Sequence, residues 1–128
     1  DECKTRVKKI QTSYPNLMDI PFNFLIGDDG NVFEGRGFSY EGQHTSNPNG
    51  SSYNNIGICV AFIGIFSSET ISELQKKIFD DFLEFFIDDG KIDTNYLLFF
   101  HDHLAAPVKY PADALKATIS RWKNFYSG

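Results

Sequence analysis

Val7, Ile10 and Tyr14 recur at helical spacing among lysines and arginine, so the stretch from Lys4 to Tyr14 predicts an amphipathic helix with a basic outer face, ended by Pro15. Phe22 to Gly27 is a short apolar run, Asp28-Asp29-Gly30 is a turn, and Val32-Phe33 follows. That pattern predicts a β-hairpin in which Gly30 supplies the positive φ. From Gly35 to Ser52 there is little periodicity and much Gly, Ser and Asn, which predicts a long loop of the kind that carries function. Ile56 to Phe66 is nearly all apolar and rich in β-branched and aromatic residues, the pattern of a central strand with helices over both faces. Thr70 and Glu73 read as a capping box that opens a helix. Its apolar stripe is Ile71, Leu74, Ile78, Phe82 and Phe85, widened by Phe79, Leu83, Phe86 and Ile87 until Gly90. Tyr96 to Phe100 predicts a second buried strand that delivers His101 at its C-terminal end. Pro111 opens a last helix whose inner face is Leu115, Ile119, Trp122 and either Tyr126 or Phe125. The order helix, hairpin, strand, helix, strand, helix predicts an α/β fold with a mixed central sheet flanked by helices.

Composition narrows the function. The 128 residues make a single domain (1–128), and a chain of that size buries roughly two-thirds of the surface its unfolded form exposes. With 13 Phe, 6 Tyr, 1 Trp and a single Met, the core is expected to be built from rigid rings, and disorder is excluded. Twelve basic against 17 acidic residues give a net charge of −5 and argue against general affinity for nucleic acid or anionic membrane. No apolar run of about 18 residues spans a membrane, and the chain opens without the basic and apolar regions of a signal peptide. Cys3 lies in a charged stretch and Cys59 inside the apolar run, which argues against a bridge between them, although pairing turns on a Cα separation that spacing does not supply. Asn49-Gly50-Ser51 is a glycosylation sequon that points to a secreted context, and such triplets also arise by chance.

Two stretches could carry chemistry. His101-Asp102-His103 ends a predicted buried strand, where α/β proteins bind ligands. Two histidines do not make a zinc site, which needs three protein ligands and an open position, or four. The third would have to be Cys59, His44 or an acidic residue, and a surface histidine pair accounts for the same pattern. In the stretch Gly35 to Thr45, three glycines allow sharp turns, and Phe38, Tyr40 and His44 offer flat faces for a sugar or peptide. A well-packed aromatic loop without a ligand fits it equally. Asp28-Asp29-Gly30 and Asp88-Asp89-Gly90 are read as a turn and a helix stop, without function.

The string Phe22-Asn23-Phe24-Leu25-Ile26-Gly27-Asp28-Asp29-Gly30-Asn31-Val32-Phe33-Glu34-Gly35-Arg36-Gly37-Phe38, then Gly42-Gln43-His44-Thr45, Tyr53-Asn54 and Ala61-Phe62-Ile63-Gly64, closely resembles the peptidoglycan recognition proteins. These are innate-immunity domains related to bacteriophage-type zinc N-acetylmuramoyl-L-alanine amidases. The resemblance covers essentially the whole chain, including Gly90-Lys91-Ile92 and Trp122. It implies the family's fold without its N-terminal portion and the strand in it, so exposed apolar surface is expected along Ile56 to Ile63. It also matches Cys3 to one half of a family disulfide whose other cysteine lies in that upstream portion.

In the amidase members, the resemblance implies, zinc is held by two His and one Cys, with a Tyr hydroxyl assisting at the bound water. The first His lies upstream of residue 1, and the second matches His101. The Tyr falls on Phe22, which has no hydroxyl; the Cys falls on Tyr110, or on Lys109, neither of which replaces a thiolate. The expectation is a non-catalytic, receptor-type member without cofactor and without zinc. For ligand binding, the groove candidates are Ser39, Tyr40, His44, Thr45, Tyr53 and Asn54. Ser39-Tyr40 stands at the pair that discriminates the third stem-peptide residue, and Ile56 stands where an Arg pairs the diaminopimelic carboxylate. Several extra residues between His44 and Tyr53, with the possible glycosylation site Asn49, lie beside that groove. The resemblance implies an extracellular domain, secreted or part of a membrane receptor. Its expected partners are bacterial peptidoglycan fragments, bound weakly, or another protein of the same family, and no nucleic acid. The alternatives are a zinc amidase with rearranged ligands, such as His101 and His103 with the upstream His, or a peptidoglycan-binding receptor.

Overall fold

The computed structural model describes residues 2–13, 19–43, 54, 56–64, 70–99 and 113–126. The first element is helix α1 (Glu2–Thr12), close to the predicted span. The hairpin forms as predicted: β1 (Phe24–Ile26) and β2 (Val32–Glu34) pair antiparallel, with Leu25 opposite Phe33. Gly30 takes φ +83°, the left-handed backbone that glycine adopts without penalty. Asp29 closes the turn by accepting from the backbone and side-chain amides of Asn31 at 3.0 and 2.9 Å.

Strand β3 (Val60–Phe62) pairs parallel to β1, which gives a mixed sheet of order β2-β1-β3 among the described residues. Among the described residues the strand paired on both edges is β1, while β3 is paired on one. All three residues of β1 are buried, and the three of β3 are half-buried. The expected exposed apolar surface is present on the approach to β3, at Ile56 (76% exposed) and Ile58 (39%).

Alternation along β1 distributes the core between two faces. Leu25 joins Ile20 and Ile63 in a cluster against which Val7 and Ile10 of α1 pack, with Phe22, Phe33 and Ala61. Phe24 points the other way, its ring 4.9 Å from Phe82 and 5.8 Å from Phe86 on helix α2 (Glu73–Asp88). Helices thus cover both faces of the sheet, as the sequence predicts; on β3, Ala61 packs with the cluster beneath α1 and Phe62 lies 5.6 Å from Phe79 of α2.

Two details of α2 differ from expectation. Its cap is Ser72, whose hydroxyl accepts from the Gln75 amide at 3.1 Å while the Gln75 side chain accepts from the Ser72 amide at 3.2 Å. Thr70 is instead hydrogen-bonded to the Thr118 hydroxyl at 2.6 Å, so its side chain is engaged elsewhere. The buried stripe is Gln75, Phe79 and Phe82, with Phe86 beside them; Leu74 and Phe85, expected inside, are 46% and 65% exposed. The helix ends as predicted, with Gly90 at φ +74°.

Tyr96 to Phe100 does not form a sheet strand over its described part. Leu98 makes a single bridge to Phe125, donating to the Asn124 carbonyl and accepting from Tyr126, each at 2.9 Å. Leu97 is 60% exposed. The final helix, α3 (Asp113–Ile119), is shorter than expected, because the chain turns back through Asn124 at φ +64° to make that bridge. Leu115 and Ile119 are buried with Ile71, and Phe62, Leu98, Trp122 and Phe125 pack against them. Tyr126 is 44% exposed, so the inner position belongs to Phe125.

Candidate functional site

The loop after β2 is held closely along its described length. Gly35 and Gly37 both donate to the Asn23 carbonyl, at 2.9 and 3.0 Å, and Arg36 donates to the Phe22 carbonyl at 3.0 Å. A side chain at position 35 would run into the Phe22 carbonyl, so the close approach requires glycine there. The Arg36 guanidinium donates to the carbonyls of Ile20 at 2.8 Å and Glu41 at 3.0 Å, and Gln43 donates to the Pro21 carbonyl at 2.9 Å. Residues 35–43 are thereby stapled along 20–23. Phe38 is not a ligand-facing ring: it sits 4.9 Å from Phe24 and 4.7 Å from Phe86, inside the aromatic core. That anchor leaves the next two residues outward. Ser39 and Tyr40 are exposed, Tyr40 by 74%.

Asn23 joins this loop to the approach to β3. Its side chain is buried, donating to the Gly37 carbonyl at 2.8 Å and accepting from the Cys59 amide at 2.9 Å. Its own amide donates to the Cys59 carbonyl at 3.2 Å. Asn54 is half-buried and Ile56 exposed on that approach. Of the sequence-selected positions, Ser39, Tyr40, Asn54, Ile56 and Phe22 are described, and His44, Thr45, Asn49, Tyr53, His101 and Tyr110 lie outside the described residues. Nothing in the apolar periodicity points to Asn23 as the hub. The available signal was a lone amide inside the run from Phe22 to Gly27, since a buried polar group there has to be bonded.

Phe22 is half-buried and packs against the cluster of Ile20, Leu25 and Ile63. Among the described residues, no group of three or more His, Cys, Asp or Glu side chains is placed to hold a metal ion. Cys3 and Cys59 are not bridged to each other. Cys3 is buried and donates to Asp28 at 3.0 Å; that bond, then burial, pushes its thiol up. Arg6 reaches the other Asp28 oxygen at 3.4 Å, so the aspartate read only as part of a turn also ties α1 to the hairpin. The Cys59 residue keeps part of its surface, but desolvation of its thiol pushes it up to about 12, so it is neutral at physiological pH.

No protein-family model matches the chain. Peptidoglycan recognition protein 4 of mouse is 31% identical over 98% of this chain and 33% of its own length. The ectodomain of the Drosophila transmembrane receptor PGRP-LCa superposes with a TM-score of 0.84 at 34% identity, over 97% of this chain and 75% of that one. A structure of tracheal cytotoxin bound to the ectodomain complex of peptidoglycan recognition proteins LCa and LCx matches with a TM-score of 0.86 at 33% identity, over 97% of this chain and 73% of that one. The architecture is thus the mixed-sheet α/β fold of these domains. The chain belongs to the peptidoglycan recognition protein family. It spans about a third of the length of the first mammalian relatives it matches.

Proposed function

We propose that this chain is a non-catalytic peptidoglycan-recognition domain of innate immunity. In this reading it acts outside the cell as a receptor ectodomain, co-receptor or regulator, with weak or no direct muropeptide binding. Phe22 carries the reading. It stands where the amidase members need a tyrosine hydroxyl, and its ring packs with the core beneath α1 instead. The rest of the donor set points the same way: His101 supplies one imidazole, and neither Tyr110 nor Lys109 supplies a thiolate. These residues do not fit a three-ligand catalytic zinc. Purified protein incubated with zinc and a muramyl-peptide amide is expected to release no peptide, and turnover would overturn the reading.

Weak binding is supported by Ile56, an exposed aliphatic side chain where carboxylate recognition needs a guanidinium. A peptidoglycan-binding receptor is the second reading, favoured by Tyr40, whose ring stands exposed on a stapled turn as a platform for a sugar or peptide. Calorimetric titration with diaminopimelic-type and lysine-type muropeptides separates the two, since micromolar binding would sink the first. A protein of the same family is a fitting partner, because the neighbouring ectodomains LCa and LCx form a complex.

A further inference from the structure

The sequence holds two Asp-Gly pairs, Asp29-Gly30 and Asp89-Gly90, alike in local chemistry and unlike in their surroundings. In such a pair the glycine amide nitrogen can attack the aspartate Cγ. The new N–Cγ bond closes a five-membered succinimide, the amide hydrogen and the carboxyl hydroxyl leave as water, and water then reopens the ring. Opening at one carbonyl returns aspartate. Opening at the other leaves isoaspartate, with the main chain running through the side chain and one methylene longer. Glycine favours the attack because no Cβ crowds its nitrogen. The carboxyl must be free to turn toward that nitrogen, and protonated so that water can leave.

The two amides are equally engaged: Gly30 donates to the Gly27 carbonyl at 3.1 Å and Gly90 to the Ile87 carbonyl at 3.0 Å. The carboxyls differ. That of Asp29 is held by the backbone and side-chain amides of Asn31, which also keep it below the usual carboxylate range and so short of the protonated form. Its turn is closed by the bond from the Gly27 amide to the Asn31 carbonyl at 2.9 Å, and Leu74 lies over Gly30, 3.2 Å from where a Cβ would stand. Asp89 is exposed, and its carboxyl has no partner among the described residues. Its pair ends the last turn of α2, where backbone bonds open most readily, and no described residue crowds a Cβ placed on Gly90. We infer that Asp89-Gly90 is the site at which this chain forms isoaspartate, and so the substrate site for an isoaspartyl carboxyl methyltransferase, while Asp29-Gly30 is protected by its fold. Isomerisation there is independent of muropeptide binding and of catalysis.

The whole chain is aged at about pH 6, where carboxyls retain a protonated fraction, both folded and in denaturant. Proteolysis and electron-transfer fragmentation then locate isoaspartate residue by residue, and methyl transfer from S-adenosylmethionine by an isoaspartyl methyltransferase confirms it on the separated peptides. The ratio of isoaspartate at 89 to that at 29 should be several-fold higher in the folded protein than in denaturant, where the two pairs are equivalent. Asn31→Ala removes the side-chain half of the clamp and should raise the signal at Asp29 in the folded protein while leaving that at Asp89 unchanged. A ratio no higher in the folded protein than in denaturant overturns the inference. So does a folded protein in which Asp89 gains no isoaspartate over the time in which the unfolded chain gains it at both pairs.

Discussion

A buried carboxamide is stable only when both of its ends are paired, and Asn23 meets that condition with two backbone groups far apart in the chain. Its amide end holds the Gly37 carbonyl and its oxygen holds the Cys59 amide, so one side chain fixes the loop that presents Ser39 and Tyr40 against the start of β3. Replacing it with alanine strands both partners beneath the surface. Asn23→Ala should therefore cost about 2–4 kcal/mol, on the scale of two unsatisfied buried groups. Chemical denaturation measures the loss. Hydrogen exchange locates it, since the Cys59 amide should lose protection in the native state while the amides of α2 keep theirs. Asn23→Asp keeps the acceptor for the Cys59 amide but puts a carboxylate oxygen against the Gly37 carbonyl, so it should not restore stability.

At the scale of elements, structure dictated locally is legible in the sequence, and structure set by tertiary contacts is not. The hairpin is legible because a turn of Asp28-Asp29-Gly30 dictates its own backbone, and Gly90 stops α2 for the same reason. The start of α2 offers two overlapping cap patterns, Thr70 with Glu73 and Ser72 with Gln75. Local sequence does not choose between them; tertiary contacts do. Gln75 is buried and its amide donates to the Ile63 carbonyl at 3.1 Å at the end of β3, while Thr70 is drawn to Thr118. Fixing Gln75 inward also sets the rotation of the helix, which is why Leu74 and Phe85 face out although the periodicity allows them inside. The cap assignment is testable: Ser72→Ala should cost about 1 kcal/mol, the usual value of an N-cap. Thr70→Ala removes one exposed hydroxyl pair and should cost about 0.5 kcal/mol or less. A larger loss for Thr70→Ala than for Ser72→Ala in thermal unfolding would return the cap to Thr70.

For the whole molecule, which strand is central is a non-local fact, and a run of apolar residues such as 56–66 cannot report it. Among the described residues β1 takes the centre because it pairs on both edges, and the apolar approach to β3 begins with Ile56 in water. That position is also where family resemblance and physical chemistry meet most closely. An isoleucine 76% exposed contributes little to folding, so Ile56→Arg should leave stability within about 0.5 kcal/mol of the wild type. Stability therefore does not require an arginine to be absent, and the substitution isolates recognition. If weak binding follows from the lost guanidinium, Ile56→Arg should tighten the diaminopimelic-type muropeptide by about tenfold or more, the worth of one charge-assisted hydrogen bond, and leave the lysine-type unchanged. Titration of both ligands against both proteins measures this. Equal tightening for the two would mean a general gain from added positive charge on a chain of net charge −5. No change for either would move the obstacle away from residue 56 and onto the rest of the groove.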